Sequence, residues 1–172
     1  DTILNVGEEN RMRVINKTAD QIDNGTVCRH DGVDATSGLP KIDKAIATSL
    51  VNGRVLGVAT HDIAVDAEGF ITTFGVVNDM DTFGLTVGVP IYLSDSVAGA
   101  LVDTPPDLAV QVGGVLVANA TTGKFFVSIL NLTPVVSLLG ILDTNAGTYT
   151  LSGTWDDVDN YTNDNAVGMT VN

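Results

Sequence analysis

His61 and Asp62 are the two neighbouring residues that come closest to an acid–base pair in this sequence. They stand in GVATHDIAVDAEGFITTFG, residues 57 to 75, among small, apolar and hydroxyl residues. Because neighbouring side chains of a strand point to opposite faces, adjacency alone cannot give a hydrogen-bonded acid–base pair. No nucleophile-elbow motif accompanies them. The sequence therefore predicts a framework role for both residues.

Cys28 and His30 are a second candidate, because residues two apart on a strand share a face, as a Cys/His nucleophile would require. A zinc site would need two further ligands, and the only other histidine is His61. Free cysteines are usually buried and inert. We therefore expect a buried Cys28 and a histidine at a strand edge.

The stretch DDVDNYTNDN, residues 156 to 165, is rich in the oxygen ligands that Ca²⁺ prefers. The spacing of an EF-hand is absent, because neither the turn glycine nor the terminal glutamate follows in place. We predict a solvated acidic loop, with a weak cation site as the alternative. The oxygen-bearing side chains are those of Asp156, Asp157, Asp159, Asn163, Asp164 and Asn165.

Five N-x-S/T sequences are present, and in a secreted eukaryotic protein they would suggest glycosylation. Asparagine and threonine are also common in β turns, and we favour that interpretation here. The sequence contains no phosphate-binding loop, dinucleotide fingerprint or zinc spacing, and we expect no cofactor. The five asparagines are Asn16, Asn24, Asn119, Asn131 and Asn160.

The composition of the 172 residues limits the possible partners. With 21 acidic and 8 basic residues the formal charge is -13, which argues against nucleic acid and against an anionic membrane surface. No apolar run approaches the roughly 20 residues that span a bilayer. Charged residues are only 17% and the mean hydropathy is +0.26. That balance favours a homo-oligomer, for which we predict a trimer.

Short runs rich in Val, Ile, Thr and Phe recur between glycines, which predicts an all-β fold of short antiparallel strands. The segment LPKIDKAIATSL, residues 39 to 50, is compatible with either a short helix or an irregular extended segment. The predicted strands are Arg11–Asn16, Gly25–His30, Gly53–Thr60, Gly69–Asp79, Val89–Ser94, Ala109–Asn119 and Lys124–Asn131.

Several predicted strands carry apolar residues on both faces. In KFFVSIL, residues 124 to 130, Phe125 and Val127 point one way while Phe126 and Leu130 point the other. Strands of this kind are covered on both faces, which predicts a compact sandwich or barrel with a subunit interface.

A change in residue composition after residue 133 predicts a domain boundary. We expect a β domain at residues 1–133 and a C-terminal β arm at 134–172, which docks on the main domain or on a neighbouring subunit because it is too small to hold a core alone. The residues that we expect at the oligomer interface are Phe125, Phe126, Leu138, Leu139, Ile141 and Trp155.

Four motifs in a fixed order carry a family resemblance. In order along the chain they are VINKTADQIDNGTVC, GRVLGVATHDIAVDAEGFITTFGVVNDMDT, GLTVGVPIYLSDSVAGALVDTPP and VQVGGVLVANATTGKFFVSIL. Together they cover roughly residues 11 to 131. The series resembles a family of tailed-bacteriophage virion proteins that includes head fibres, capsid decoration proteins and tail-fibre modules.

The resemblance implies a structural protein on the capsid surface of a virion, with the major capsid protein or other virion proteins as partners and no enzymatic activity. The alternative is a tail-fibre or receptor-binding module that contacts a host glycan. Its candidate sugar-stacking residues are Tyr92, Tyr149, Trp155 and Tyr161. A glycan hydrolase is the other alternative, and it would need two carboxylates roughly 5–10 Å apart.

Overall fold

Alternating apolar residues between glycine-containing turns give this chain nine strands and no helix within residues 9–130, the part that the computed structural model describes. The predicted all-β fold is confirmed. The strands are β1 (Glu9–Asn16), β2 (Val27–Val33), β3 (Pro40–Lys44), β4 (Val55–Ala59), β5 (Glu68–Met80), β6 (Pro90–Leu93), β7 (Leu101–Val102), β8 (Gln111–Val117) and β9 (Gly123–Leu130).

Five of these strands close into a small barrel. The strands pair in the order β1, β3, β2, β4 and β5, and β5 then pairs with β1 to complete the ring. The β1–β3 pair is parallel and the other four are antiparallel. Closure leaves no free strand edge in this part of the fold. The apolar cluster inside the barrel consists of the buried residues Val14, Ile22, Cys28, Ile42, Ala59, Ile63 and Ile71.

The thirteen-residue strand β5 continues beyond the barrel and begins a second sheet in the order β5, β9, β8, β6 and β7. A second apolar cluster joins the inward side chains of this sheet to Val27, Val55 and Val58 of the barrel strands β2 and β4. Phe125 is the largest side chain that is fully buried in it. One strand therefore belongs to both cores.

The predicted alternation of apolar residues is confirmed in β9. Phe125 and Val127 are fully buried, whereas Phe126 is partly exposed and Leu130 is exposed. In β5, Ile71 is buried and Phe74 is exposed in the same way. The inward faces of these strands fill the domain's own core, and the outward faces keep exposed apolar side chains such as Phe74 and Leu130.

All seven predicted strands are present, with ends shifted by a few residues. Two short strands, β3 and β7, were not predicted. The extended alternative is confirmed for the first half of residues 39–50, because residues 40–44 form β3, and the chain then turns at residues 47–50. The predicted boundary at 133/134 and the C-terminal arm lie outside the described residues.

Candidate functional site

His61 and Asp62 follow the end of β4, and each side chain makes its polar contact with a different residue and not with the other. Nδ1 of His61 lies 3.0 Å from Oγ1 of Thr60, and Oδ1 of Asp62 accepts a hydrogen bond of 2.9 Å from the backbone N–H of Asn24. The imidazole ring also lies 6.4 Å from the ring of Phe70. These contacts tie loops to strands and support the framework interpretation.

The charge state of His61 is set by its surroundings. Burial and the nearby positive charge of Arg11 lower the pKa of the imidazole, although the Asp62 carboxylate opposes this shift. The ring is therefore neutral at pH 7 and held beside a hydroxyl group that itself donates 3.0 Å to the Phe70 carbonyl. Because that hydroxyl already donates its proton to the Phe70 carbonyl, its contact with His61 supports a framework role and not general-base chemistry.

Cys28 lies inside the barrel and is fully buried. Its Sγ is 3.4 Å from the carbonyl oxygen of Thr26, and burial together with the negative charge of Asp43 raises the pKa of the thiol to about 12. His30 lies two residues further along β2, on the exposed part of the strand. A protonated thiol in an apolar core is a poor nucleophile, and the arrangement does not support Cys/His chemistry.

The asparagines of the three described N-x-S/T sequences hold turns. Asn16 is fully buried and donates from Nδ2 to the carbonyls of Asp20 and Ile63, each at 2.9 Å. Asn24 donates to the carbonyls of two β5 residues, and Oδ1 of Asn119 accepts from the backbone N–H groups of Thr121 and Thr122. Their amides serve the fold, as the turn interpretation predicted. Asn131 and Asn160 lie outside the described residues.

A shallow groove of about 410 Å³ runs beside the edge strand β7 and is open to solvent. Two carboxylates line it, and that of Asp103 accepts a hydrogen bond of 2.9 Å from Oγ1 of Thr86. Small-molecule sites usually bury most of their ligand, which this open surface does not do. Its lining residues are Leu85, Asp95, Leu101, Val102, Asp103, Thr104, Pro105 and Pro106.

The residues expected at an oligomer interface or a glycan site separate into three groups. Phe125 is fully buried in the domain's own core, and it has no exposed surface to offer another subunit. Phe126 faces outward, and Tyr92 is half-buried on β6, where it pairs with Val102 of β7. The remaining candidates lie outside the described residues; they are Leu138, Leu139, Ile141, Tyr149, Trp155 and Tyr161.

The outward side of the second sheet combines Phe126, which the sequence analysis expected at an interface, with residues that it did not name as interface residues. There the ring of Phe74 meets the ring of Phe126 edge to face, with centroids 5.3 Å apart. The exposed side chains of Leu116 and Leu130 lie on the strands β8 and β9 of the same sheet. We call this surface, formed by Phe74, Val76, Gly114, Leu116, Phe126 and Leu130, the outer face.

Residues 9–130 supply neither a cluster of metal ligands nor a helix that could cross a membrane. Those residues bring together no group of three His, Cys, Asp or Glu side chains suited to a metal ion. In the same part of the chain there is no helix of the length and apolarity needed to cross a bilayer. The acidic stretch at 156–165 lies outside it.

A comparison of the chain with known protein families and with curated proteins finds no match in either.

Proposed function

We propose that this chain is a structural protein of a tailed-bacteriophage virion, which decorates or projects from the capsid and self-associates as a trimer. The observation that carries the proposal is the outer face, where Phe74 and Leu130 are each 50% exposed. The largest exposed apolar patch on a soluble protein is often a surface that binds a partner. The resemblance of residues 11–131 to virion proteins supplies the setting.

The use of the polar residues supports a structural role. The side chains most suited to chemistry, Cys28, His61 and Asp62, are a buried thiol and two loop contacts. A barrel closed by hydrogen bonds on every side suits a component that must persist outside a cell. Function in such a protein comes from surfaces that meet other subunits.

The net charge supports a position on the outside of a particle. A formal charge of -13 over 172 residues makes copies repel one another wherever their surfaces are charged. Particles covered by such a protein repel one another and stay dispersed. The same charge disfavours contact with the packaged nucleic acid, so the expected partners are the major capsid protein or other virion proteins.

Immunogold labelling of virions with an antibody to the purified chain tests the proposal. We expect gold over the capsid shell, and preincubation of the antibody with the purified chain should remove it. Label confined to the tail tip would instead support the receptor-binding alternative. The absence of label from intact particles, with the chain found only in lysate, would overturn the proposal.

The oligomeric state is tested separately by light scattering after size exclusion at low micromolar concentration. We expect a mass near three times the 17.9 kDa of one chain. A monomer over the whole accessible concentration range contradicts self-association, and a stable dimer contradicts the trimer alone.

A further inference from the structure

The outer face is continuous across three strands because of their register. Val76 of β5 pairs with Phe126 of β9, and Phe126 in turn pairs with Gly114 of β8. Paired residues of neighbouring strands share a face, so these three positions form one row. Phe74 lies two residues along β5 from this row, on the same side. Leu116 is the extra residue of a β-bulge in β8 next to the row, and its side chain is 49% exposed.

The outer face has both a ridge and a hollow. Phe74 and Phe126 form the ridge through their edge-to-face contact of 5.3 Å. Beside it, a Cβ added to Gly114 would find only the carbonyl oxygen of Val89 nearby, at 3.5 Å, so the surface above this glycine is open. An apolar side chain of a partner could therefore lie against the ridge and over the glycine.

The area of the outer face fits a protein interface. Leu130 and Phe74 are 50% exposed and Leu116 is 49% exposed. Together the six residues expose roughly 300–400 Å² of apolar surface, which is comparable with the largest patches on soluble monomers. A standard interface buries about 800 Å² per partner, of which the apolar centre is a part. The outer face is large enough to be that centre.

The distribution of charge indicates the kind of partner. Among the outward positions of the described segments 74–78, 114–116 and 124–130, Lys124 is the one charged residue. Elsewhere the net charge of -13 makes two copies repel each other, and the outer face is where they can approach with the least repulsion. An anionic membrane is disfavoured by the same net charge.

We propose that the outer face is the surface through which copies of this chain associate, with Phe74 and Phe126 of one copy packed against the outer face of the next. The proposal rests on the self-association included in the proposed function and gives it a location. The ridge and the hollow at Gly114 lie on the same surface, so one face supplies both complementary shapes.

Two substitutions on the outer face and one matched control test this. Phe74→Asp and Leu116→Asp each place a carboxylate in the interface, and we expect each to raise the dissociation constant of the oligomer at least roughly 30-fold. Phe83→Asp makes the same chemical change at a residue that is 79% exposed, in the loop between β5 and β6, and should leave the constant unchanged. Sedimentation velocity over a concentration series measures all three, and circular dichroism verifies that each variant is folded.

Three results would overturn the location. Folded Phe74→Asp and Leu116→Asp chains that keep the wild-type mass at every concentration show that another surface holds the oligomer. Dissociation by Phe83→Asp to the same extent shows a general effect of charge. A lower melting temperature with unchanged mass shows that the face is covered within its own chain. Each of these leaves the virion proposal standing, which only the labelling of particles can overturn.

Discussion

Two adjacent glycines on β8, Gly113 and Gly114, are expected to respond to alanine in opposite directions. A Cβ at Gly113 would overlap the carbonyl oxygen of Phe126 on β9, and it would also lie 2.9 Å from the carbonyl carbon of that residue and 3.0 Å from the Phe125 ring. The obstacle is mainly backbone, which cannot rotate away. At Gly114 the nearest atom, the carbonyl oxygen of Val89, is at an ordinary 3.5 Å.

The magnitude follows from this geometry. Gly113→Ala must push β8 away from β9 at the centre of the second core, and we expect a loss of at least about 3 kcal/mol in the free energy of unfolding. For a chain of this size that corresponds to a fall of roughly 6–12 °C in melting temperature. Gly114→Ala loses no space and restricts the unfolded chain, so we expect a gain of about 0.4–1 kcal/mol.

Thermal and urea unfolding of the two variants and the wild type provide the assay. All three must be compared at a concentration at which each is monomeric, because Gly114 lies on the outer face and the self-association that we propose would make the melting temperature depend on concentration. Equal melting temperatures for the two variants would refute the reasoning. That result would mean that β8 and β9 are further apart than the structure places them.

Three further predictions concern the polar residues. The Cys28 thiol, with its pKa raised to about 12, should resist a disulfide reagent at pH 8 in the native chain and react at once in guanidinium chloride; rapid native labelling would contradict its burial. His61→Ala should keep the fold and mass at pH 7 and weaken the loss of stability on acidification. The folded state lowers the pKa of His61, so the unfolded state binds more protons as the pH falls through 6.5, and urea midpoints at pH 7 and 5 measure the difference. Asn16→Ala should cost about 2–3 kcal/mol in urea unfolding, because a buried amide loses four hydrogen bonds, while the exposed Asn119→Ala should cost about 1 kcal/mol; equal costs would contradict the assigned roles.

The sequence predicts strands well where apolar residues alternate strictly, as in β5 and β9. It did not identify β3, because Ile42 is the only fully buried residue of that strand and its spacing to Ala45 and Ile46 imitates a helix. The two residues of β7 are too few to give any period. Local patterns therefore identify long strands and miss those defined by their neighbours.

Closure of the barrel depends on contacts that no local pattern contains. Ile15 of β1 pairs with Glu68 of β5, 53 positions further along the chain, and the pairing exists only because the strands between them curve round. The two glycines of β8 look alike in the sequence, yet an added Cβ would overlap the backbone at Gly113 and make only an ordinary contact with the Val89 carbonyl oxygen at Gly114. Apolar residues on both faces of β9 predicted two covered faces, whereas only the burial of Phe125 and the exposure of Leu130 show which face the domain fills itself.

The double membership of β5 has a consequence for the outer face. Gly75 pairs with Glu9 of the barrel on one side and with Val127 of the second sheet on the other. Neither core can move away from the other without breaking this strand, so the two should unfold in one transition. Phe74 precedes that junction and is therefore held in place before any partner arrives. Because little order remains to be gained on binding, a face mounted in this way would lose little entropy in the self-association that we propose.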